Sequence, residues 1–578
     1  MLAGSRGVTV RFDGPAEATV TVVEGGEVVA ERLAVAGDSG SEVRIVGLTP
    51  DTEHQVRVMA DGAPIGASPF RTLPDLNVVI VMTDDQRADT LWSIPETMDR
   101  LPDRAVVFDR AYVSTPLCCP VRASFLAGGY LPVHTNIRWN QEPMGGFAMF
   151  NAEDTLGARL QRNGYRTALI GKVMNGYQVS GGTVPPGWDV FRGQVDAGDW
   201  QSSVFIAGSS REETVTGVEI RTDAYLTDYI RDEALAFMEA GPEPFFAYLA
   251  PYAPHDPAIP DTEDIGTVTE LPEDAPSVDE ADVSDKPAFV QALPLLDPET
   301  RAALDTLERD GLETMASVDR AMVALIDALD AAGRLDRTLI VFASDNGYLY
   351  GEHRLQGKGL PYEESIRVPM VVWAPEAVPR TEDRLVVMDL DVPATVGAWT
   401  GVLGEGDGMS LWPLLRDEEA DQWREGVLIE GYPLYGGWAA LVRPDFKLVS
   451  YLAGDLELYD RVADPYELES LHADPALAAL RDEMLAELDA RRGVVFPIHQ
   501  IPTDLGVEFD VQLQPIGGTA PYTWSATNLP DGVELSEDGR LWGRADDRTS
   551  ATLVVTDSST AHHAGGPQRY ADLVLFGR

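Results

Sequence analysis

Five continuous apolar runs are spaced through the middle of this chain, at residues 78–82, 168–170, 245–249, 339–343 and 370–373. A strand with one wet face alternates apolar and polar side chains, whereas a strand covered on both faces is apolar throughout. These runs therefore predict parallel strands inside an α/β sheet. Between them the period changes to that of a helix, as in Met315, Val318, Met322, Ile326 and Leu329, with Gly333 placed to stop it. The two periods alternate over residues 75–492, which predicts one large α/β domain. A chain of 578 residues exceeds what one core supports, so roughly two to four domains are expected.

The two ends read differently. Residues 1–73 carry short alternating runs around Val8-Thr9-Val10, Val20-Thr21-Val22, Val43-Arg44-Ile45 and Val56-Arg57-Val58, separated by Gly- and Asp-rich turns, and predict a β-sandwich. The stretch from Gly47 to His54 is similar to the corner before a late strand in fibronectin type III domains, with His54 where those domains favour tyrosine. Residues 497–578 turn β again after a helix expected at 475–492. There Gly517-Gly518-Thr519, Leu529-Pro530-Asp531-Gly532 and Thr552-Leu553-Val554-Val555-Thr556-Asp557 resemble bacterial Ig-like or cadherin-like modules.

Composition narrows the function. With 44% hydrophobic and 24% charged residues the chain folds rather than remaining disordered. A formal charge of −50 excludes a nucleic-acid partner, because phosphate binding needs clustered cations. An anionic substrate would need a local positive island. Lysine occurs only at Lys172, Lys286, Lys358 and Lys447, so those positions stand out. No apolar run reaches membrane-spanning length, so no membrane span is expected. Residues Met1 to Arg6 lack the pattern of an export signal.

In an open parallel sheet, function collects at the carboxyl ends of the strands. The run 78–82 leads into Thr83-Asp84-Asp85-Gln86, and the run 339–343 into Ser344-Asp345-Asn346-Gly347. Adjacent carboxylates repel unless a cation lies between them. Asp84, Asp85, Asp345 and Asn346 offer only hard oxygen atoms, which suit Ca²⁺ first and Mg²⁺ second, and not zinc. Either pair alone is ordinary turn chemistry; both together predict a metal site. Gly171-Lys172 and Pro254-His255-Asp256-Pro257 lie at other strand ends, and Gly351-Glu352-His353 and Gly357-Lys358-Gly359 follow Asp345. An ammonium at a sheet top is costly to desolvate without an anion, which marks Lys172 and Lys358. A lone histidine such as His255 or His353 is as readily structural.

The two cysteines are neighbours, in Leu117-Cys118-Cys119-Pro120-Val121-Arg122. Neighbours cannot staple a fold, so either both are small buried hydrophobes at a helix start or Cys118 has a chemical role. The Cys-x-Pro-x-Arg frame resembles the signature of the type I sulfatases. With Gly171-Lys172-Val173-Met174-Asn175, Asp282-Val283-Ser284-Asp285-Lys286-Pro287 and Ser344-Asp345-Asn346-Gly347-Tyr348, the likeness is closest to the glucosamine-6-sulfatase and heparan sulfatase branch.

The resemblance implies an alkaline-phosphatase-like sulfatase sheet at 75–492, flanked by the two β-sandwich modules. It implies that a formylglycine-generating enzyme oxidises Cys118 to formylglycine, whose hydrate attacks the sulfur of a sulfate ester. Asp84, Asp85, Asp345, Asn346 and the modified Cys118 would hold Ca²⁺, and Arg122 would orient the hydrate. Lys172, His255 and Lys358, with His353 in the same pocket, would bind sulfate or the ester oxygen. The implied substrate is a sulfated carbohydrate such as N-acetylglucosamine 6-sulfate or a glycosaminoglycan unit, and the implied location is secreted, periplasmic or at the cell surface. Val121 and Ala127 stand where the family favours hydroxyl residues; conversion is still expected, because the modifying enzyme mainly reads Cys, Pro and Arg. Two other readings remain: a phosphoesterase or phosphonate hydrolase of the same superfamily, and a non-catalytic surface adhesion protein.

Overall fold

The computed structural model describes all residues except 1, 4–6, 13–16, 36–40, 47, 61–62, 102, 130–136, 142–144, 196–199, 212, 403–406, 421, 433–436, 493–499, 502–505, 516–519, 546–548, 557, 559–568 and 577–578. Gly47, Gly517 to Thr519, Asp557 and the expected start of the last unit at 497 thus lie outside the described residues.

The central sheet has ten strands. In chain order they are β1 (Asn77–Thr83), β2 (Ala105–Phe108), β3 (Arg166–Gly171), β4 (Trp188–Gln194), β5 (Val204–Ser210), β6 (Val218–Arg221), β7 (Phe245–Ala250), β8 (Thr338–Ser344), β9 (Met370–Trp373) and β10 (Arg380–Glu382). Across the sheet they run β6-β5-β4-β3-β7-β1-β8-β9-β2-β10. The middle five, β4 to β8 in that order, are mutually parallel.

The apolar runs read as predicted because each strand feeds two cores. Val78, Ile80 and Met82 of β1 point into one, while Val79 and Val81 point into the other. Each such buried side chain contributes about 1.5–3 kcal/mol. Helices α1 (Cys118–Ala127) and α4 (Met388–Thr400) cover the first face; α2 (Leu226–Glu239) and α3 (Pro298–Ala331) cover the second. Helix α3 carries the predicted Met315 to Leu329 stripe. Its N-cap is Asp297, whose carboxylate accepts from Glu299 and Thr300 N–H, and Gly333 takes φ 63 just past its end.

One expectation is corrected. The run 370–373 is a strand, but β9 pairs antiparallel to β8. Burial on both faces makes a strand apolar whichever way it runs, so composition cannot report direction. A second sheet also escaped the sequence reading. Strands Val427–Gly431, Trp438–Val442, Phe446–Tyr451 and Leu456–Asp460 form an antiparallel meander. One face packs on helix α5 (Ala478–Arg491) through Leu441, Leu448, Met484 and Leu488; the other meets Tyr112, Ile366 and Val387.

Before residue 75, sheets of three and four antiparallel strands share a core of Val8, Val10, Val20, Val22, Ile45, Val56 and Val58. His54 is buried, and its Nε2 donates to the Thr49 carbonyl at 3.2 Å. After residue 500 two further sheets enclose Leu513, Trp524, Val533, Leu541 and Leu553, and this core includes Tyr432 of the preceding unit.

Candidate active site

Pairing of β1 with β8 sets Thr83 opposite Ser344, so both chains leave the sheet side by side. That register delivers Asp84 and Asp85 next to Asp345 and Asn346, all four buried. Asp85 sits at φ 69, and its N–H donates to Asp345 Oδ1 at 3.2 Å. Asn346 Nδ2 donates to Asp85 Oδ1 at 2.5 Å. Behind them Gln86 N–H and the Asn346 carbonyl are tied to Ser344 Oγ.

Cys118 is the first residue of α1, following Leu117 in extended backbone with no side-chain cap. Helix N-termini favour anions, since their first N–H groups lack intrahelical partners. Cys118 Sγ lies 2.9 Å from Lys358 Nζ and 3.5 Å from Asp84 Oδ1. Cys119 faces away: its Sγ accepts from Gly146 N–H at 3.2 Å, its own N–H donates to Asn140 Oδ1 at 3.0 Å, and burial pushes its thiol up to about 12. Cys119 is therefore the small buried hydrophobe of the pair, and Cys118 is the residue in the polar centre.

Four cations surround the carboxylates. Arg122, fully buried one turn along α1, donates from Nε to Asp345 Oδ2 at 2.7 Å and from its terminal nitrogens to the Lys172 and Thr83 carbonyls. Lys172, just past β3, donates to Asp84, and Lys358 donates to Asp85. His255 is stacked on Tyr252 with ring centroids 4.5 Å apart; its Nδ1 is held by Asp256, and its Nε2 lies 3.6 Å from Asp85 Oδ2. Burial alone would lower the His255 pKa, but the Asp85 and Asp84 carboxylates outweigh burial and lift it to about 10. Burial likewise opposes the charge on Asp84, yet Lys172, His255, Arg122 and Lys358 hold that carboxyl far below its usual range.

The donor set fits a hard cation. Asp85 Oδ2 and Asn346 Oδ1 are buried without a hydrogen-bond partner, and such an orphan costs about 1–3 kcal/mol. One donor atom each from Asp84, Asp85, Cys118 and His255 fall within 4.8 Å of one another. Three carboxylates and an amide oxygen around two orphaned acceptors make an oxygen cradle of the kind Ca²⁺ takes.

His353 does not join this group through any of its described contacts. It is buried, stacked on Tyr362 at 4.1 Å, with Nδ1 2.7 Å from Glu280 Oε2. Burial lowers its pKa to about 3, which makes it neutral, and burial raises Glu280 to about 7. Lys286 points elsewhere too, donating to the Leu468 carbonyl at 2.9 Å, so the 282–287 segment ties the central domain to the second sheet.

Sequence reasoning overlooked Tyr252, whose ring lies 5.0 Å from Lys172 Nζ. Its place three residues before His255, just past β7, was a usable signal. It also overlooked Asp389, which accepts from both N–H and Oγ of Ser114 at the start of the loop leading to Cys118. Nothing local marks Asp389, because it lies 275 residues from Ser114.

The Sulfatase family model matches residues 76–402, and the model for N-sulphoglucosamine sulphohydrolase, C-terminal, matches 351–493. The N-acetylglucosamine-6-sulfatase of Homo sapiens is 30% identical over 373 residues, covering 61% of this chain and 67% of that protein. An extracellular sulfatase SULF-1 homolog of Drosophila melanogaster is 29% identical over 374 residues, 61% of this chain, and the match spans only 33% of that longer relative. The solved structure of BT4656 in complex with its substrate D-Glucosamine-2-N, 6-O-disulfate superposes with a TM-score of 0.62 at 25% identity, covering 72% of this chain and 97% of that one.

Proposed function

The chain belongs to the sulfatase family, and on that premise we propose that it is a Ca²⁺-dependent sulfuric ester hydrolase that uses a formylglycine made from Cys118. The observation that carries this reading is the meeting of Cys118 Sγ with Lys358 Nζ at 2.9 Å and Asp84 Oδ1 at 3.5 Å, at the N-terminus of α1. Oxidised by a formylglycine-generating enzyme, residue 118 would supply an aldehyde hydrate, one hydroxyl to attack sulfur and the other to expel sulfate and restore the aldehyde. Ca²⁺ held by Asp84, Asp85, Asp345 and Asn346 would add positive charge where the sulfuryl oxygens gather.

The chain's own residues then divide the work. Lys172 and Lys358 neutralise developing charge on the sulfuryl oxygens. With Nδ1 held by Asp256, His255 keeps the Nε2 proton free to pass to the leaving alcohol oxygen. Arg122, too buried to meet a sugar, holds Asp345 in place from behind.

The substrate class is a sulfated carbohydrate, with N-acetylglucosamine 6-sulfate first. That choice follows the human and BT4656 relatives together with Met174 and Asn175 after Lys172. At −50 the protein repels long polyanions beyond a screening length of about 8 Å, whereas a short sulfated sugar meets mainly the local cations. We also propose that the flanking β units are spacer modules. The 1–73 unit is fibronectin type III-like, supported by its three-plus-four strand order and the His54 to Thr49 tie; the 497–578 unit is Ig-like or cadherin-like. The extracellular relative supports a secreted or periplasmic location. No helix of the described residues is long and apolar enough to cross a membrane.

The test is sulfate release from N-acetylglucosamine 6-sulfate and an aryl sulfate, beside phosphate release from the matching aryl phosphate. The protein is co-produced with the formylglycine-generating enzyme and assayed in Ca²⁺ and in chelator. Sulfate release that disappears in chelator and in Cys118→Ala is expected. Faster turnover of the phosphate ester, or full activity in chelator, overturns the reading.

A further inference from the structure

Lys358 lies between two glycines in left-handed backbone, Gly357 at φ 101 and Gly359 at φ 81. Such a Gly-Lys-Gly segment has little rigidity of its own, because glycine crosses between left- and right-handed conformations at almost no steric cost. A lysine that must meet Cys118 and Asp85 therefore needs outside support. On one side Gly357 pairs with Leu349 in a two-residue ladder. On the other, Trp438 Nε1 donates to the Gly359 carbonyl at 2.9 Å.

Trp438 comes from the second sheet, not from the domain that carries the carboxylates, and its side chain is fully buried. The sheet makes room for it specifically. Trp438 sits opposite Gly431 in the ladder, and a Cβ at Gly431 would lie 2.2 Å from the indole. The neighbouring rung serves the nucleophile as well, since Glu430 N–H donates to the Ser114 carbonyl at 3.0 Å. One end of the antiparallel sheet thus grips both the loop before Cys118 and the segment holding Lys358.

We propose that Trp438 is a positioning residue for Lys358: its indole N–H fixes the Gly357 to Gly359 segment so that the ammonium is held against residue 118. This rests on the catalytic role of Lys358 proposed above, so one readout must be independent of turnover. That readout is amide hydrogen exchange of the peptide spanning residues 355–362. Trp438→Phe keeps an aromatic ring and removes the donor. Losing one neutral hydrogen bond is expected to lower kcat about 5- to 10-fold with KM nearly unchanged, and to speed exchange in that peptide. In a Lys358→Ala background the same substitution should cost nothing further, because the positioned group is gone.

Should Trp438→Phe fail to fold by circular dichroism, site-specific benzothienylalanine at position 438 preserves the bicyclic shape without the N–H and serves the same cycle. Unchanged exchange at 355–362 overturns the proposal, as does an equal kcat loss with and without Lys358. Faster exchange in a protein whose parent hydrolyses no sulfate ester would keep the positioning role and remove the proposed function instead.

Discussion

Removing Arg122 tests how the buried centre is held together. Its guanidinium and the Asp345 carboxylate are both fully buried and meet at 2.7 Å, and burial of each ion is compensated chiefly by the other. Breaking such a pair from one side leaves an uncompensated charge in the interior and costs about 3–5 kcal/mol, whereas replacing both partners is often close to neutral. The bonds to the Lys172 and Thr83 carbonyls, at 3.3 and 3.5 Å, are long and add less. Arg122→Met should therefore lose about 3–5 kcal/mol, a large part of the 5–15 kcal/mol typical of a folded protein, and Arg122→Met with Asp345→Asn should recover about half of it. All proteins are made without the modifying enzyme, so residue 118 is a thiol throughout, and unfolded in urea with chelator, so no metal replaces the missing cation. The central domain's transition is followed by tryptophan fluorescence. A loss below about 1 kcal/mol for the single variant, or no recovery in the double, would show that Asp345 is not paid for by Arg122 and refute the argument.

Two further outcomes are expected. Mass spectrometry of the peptide spanning Cys118 and Cys119, from cells with the modifying enzyme, should find formylglycine at 118 and a thiol at 119 that resists alkylation until the protein is denatured, since Cys119 is buried with its thiol pushed up to about 12; rapid native alkylation of Cys119 would contradict its packing. Burial raises Asp389 from the ordinary 3.8 to about 6, so the folded state holds a proton that the unfolded state releases, and stability falls as pH rises from about 4 to about 6. At 1.36 kcal/mol per pH unit that gap is worth about 3 kcal/mol. Asp389→Asn should flatten this part of the stability profile, and an unchanged slope by calorimetry would show that Asp389 is not the group responsible.

The sequence by itself determined what depends on local pattern. Strand positions were legible because a strand packed on both faces must be apolar throughout, and α3 because its stripe repeats every three to four residues. Asp84, Asp85, Asp345 and Asn346 were legible because they follow buried strands directly, and strand ends in a parallel sheet share one edge. The arrival of Asp345 beside Asp85 needed only the β1 to β8 pairing that those runs already suggested. Cys118, Arg122, Lys172, His255 and Lys358 came with short motifs whose chemistry is written in adjacent residues.

Other features were decided by contacts between residues far apart in the chain. The direction of β9 depends on how the chain returns to the sheet, which burial does not encode. The destination of His353 could not be read from Gly-Glu-His, since a histidine beside an active site and one stacked on Tyr362 against Glu280 look the same in sequence. Trp438 reads as one more apolar residue in a buried strand. Only the fold, by setting it opposite Gly431 and beneath Gly359, gives its indole N–H a carbonyl to hold.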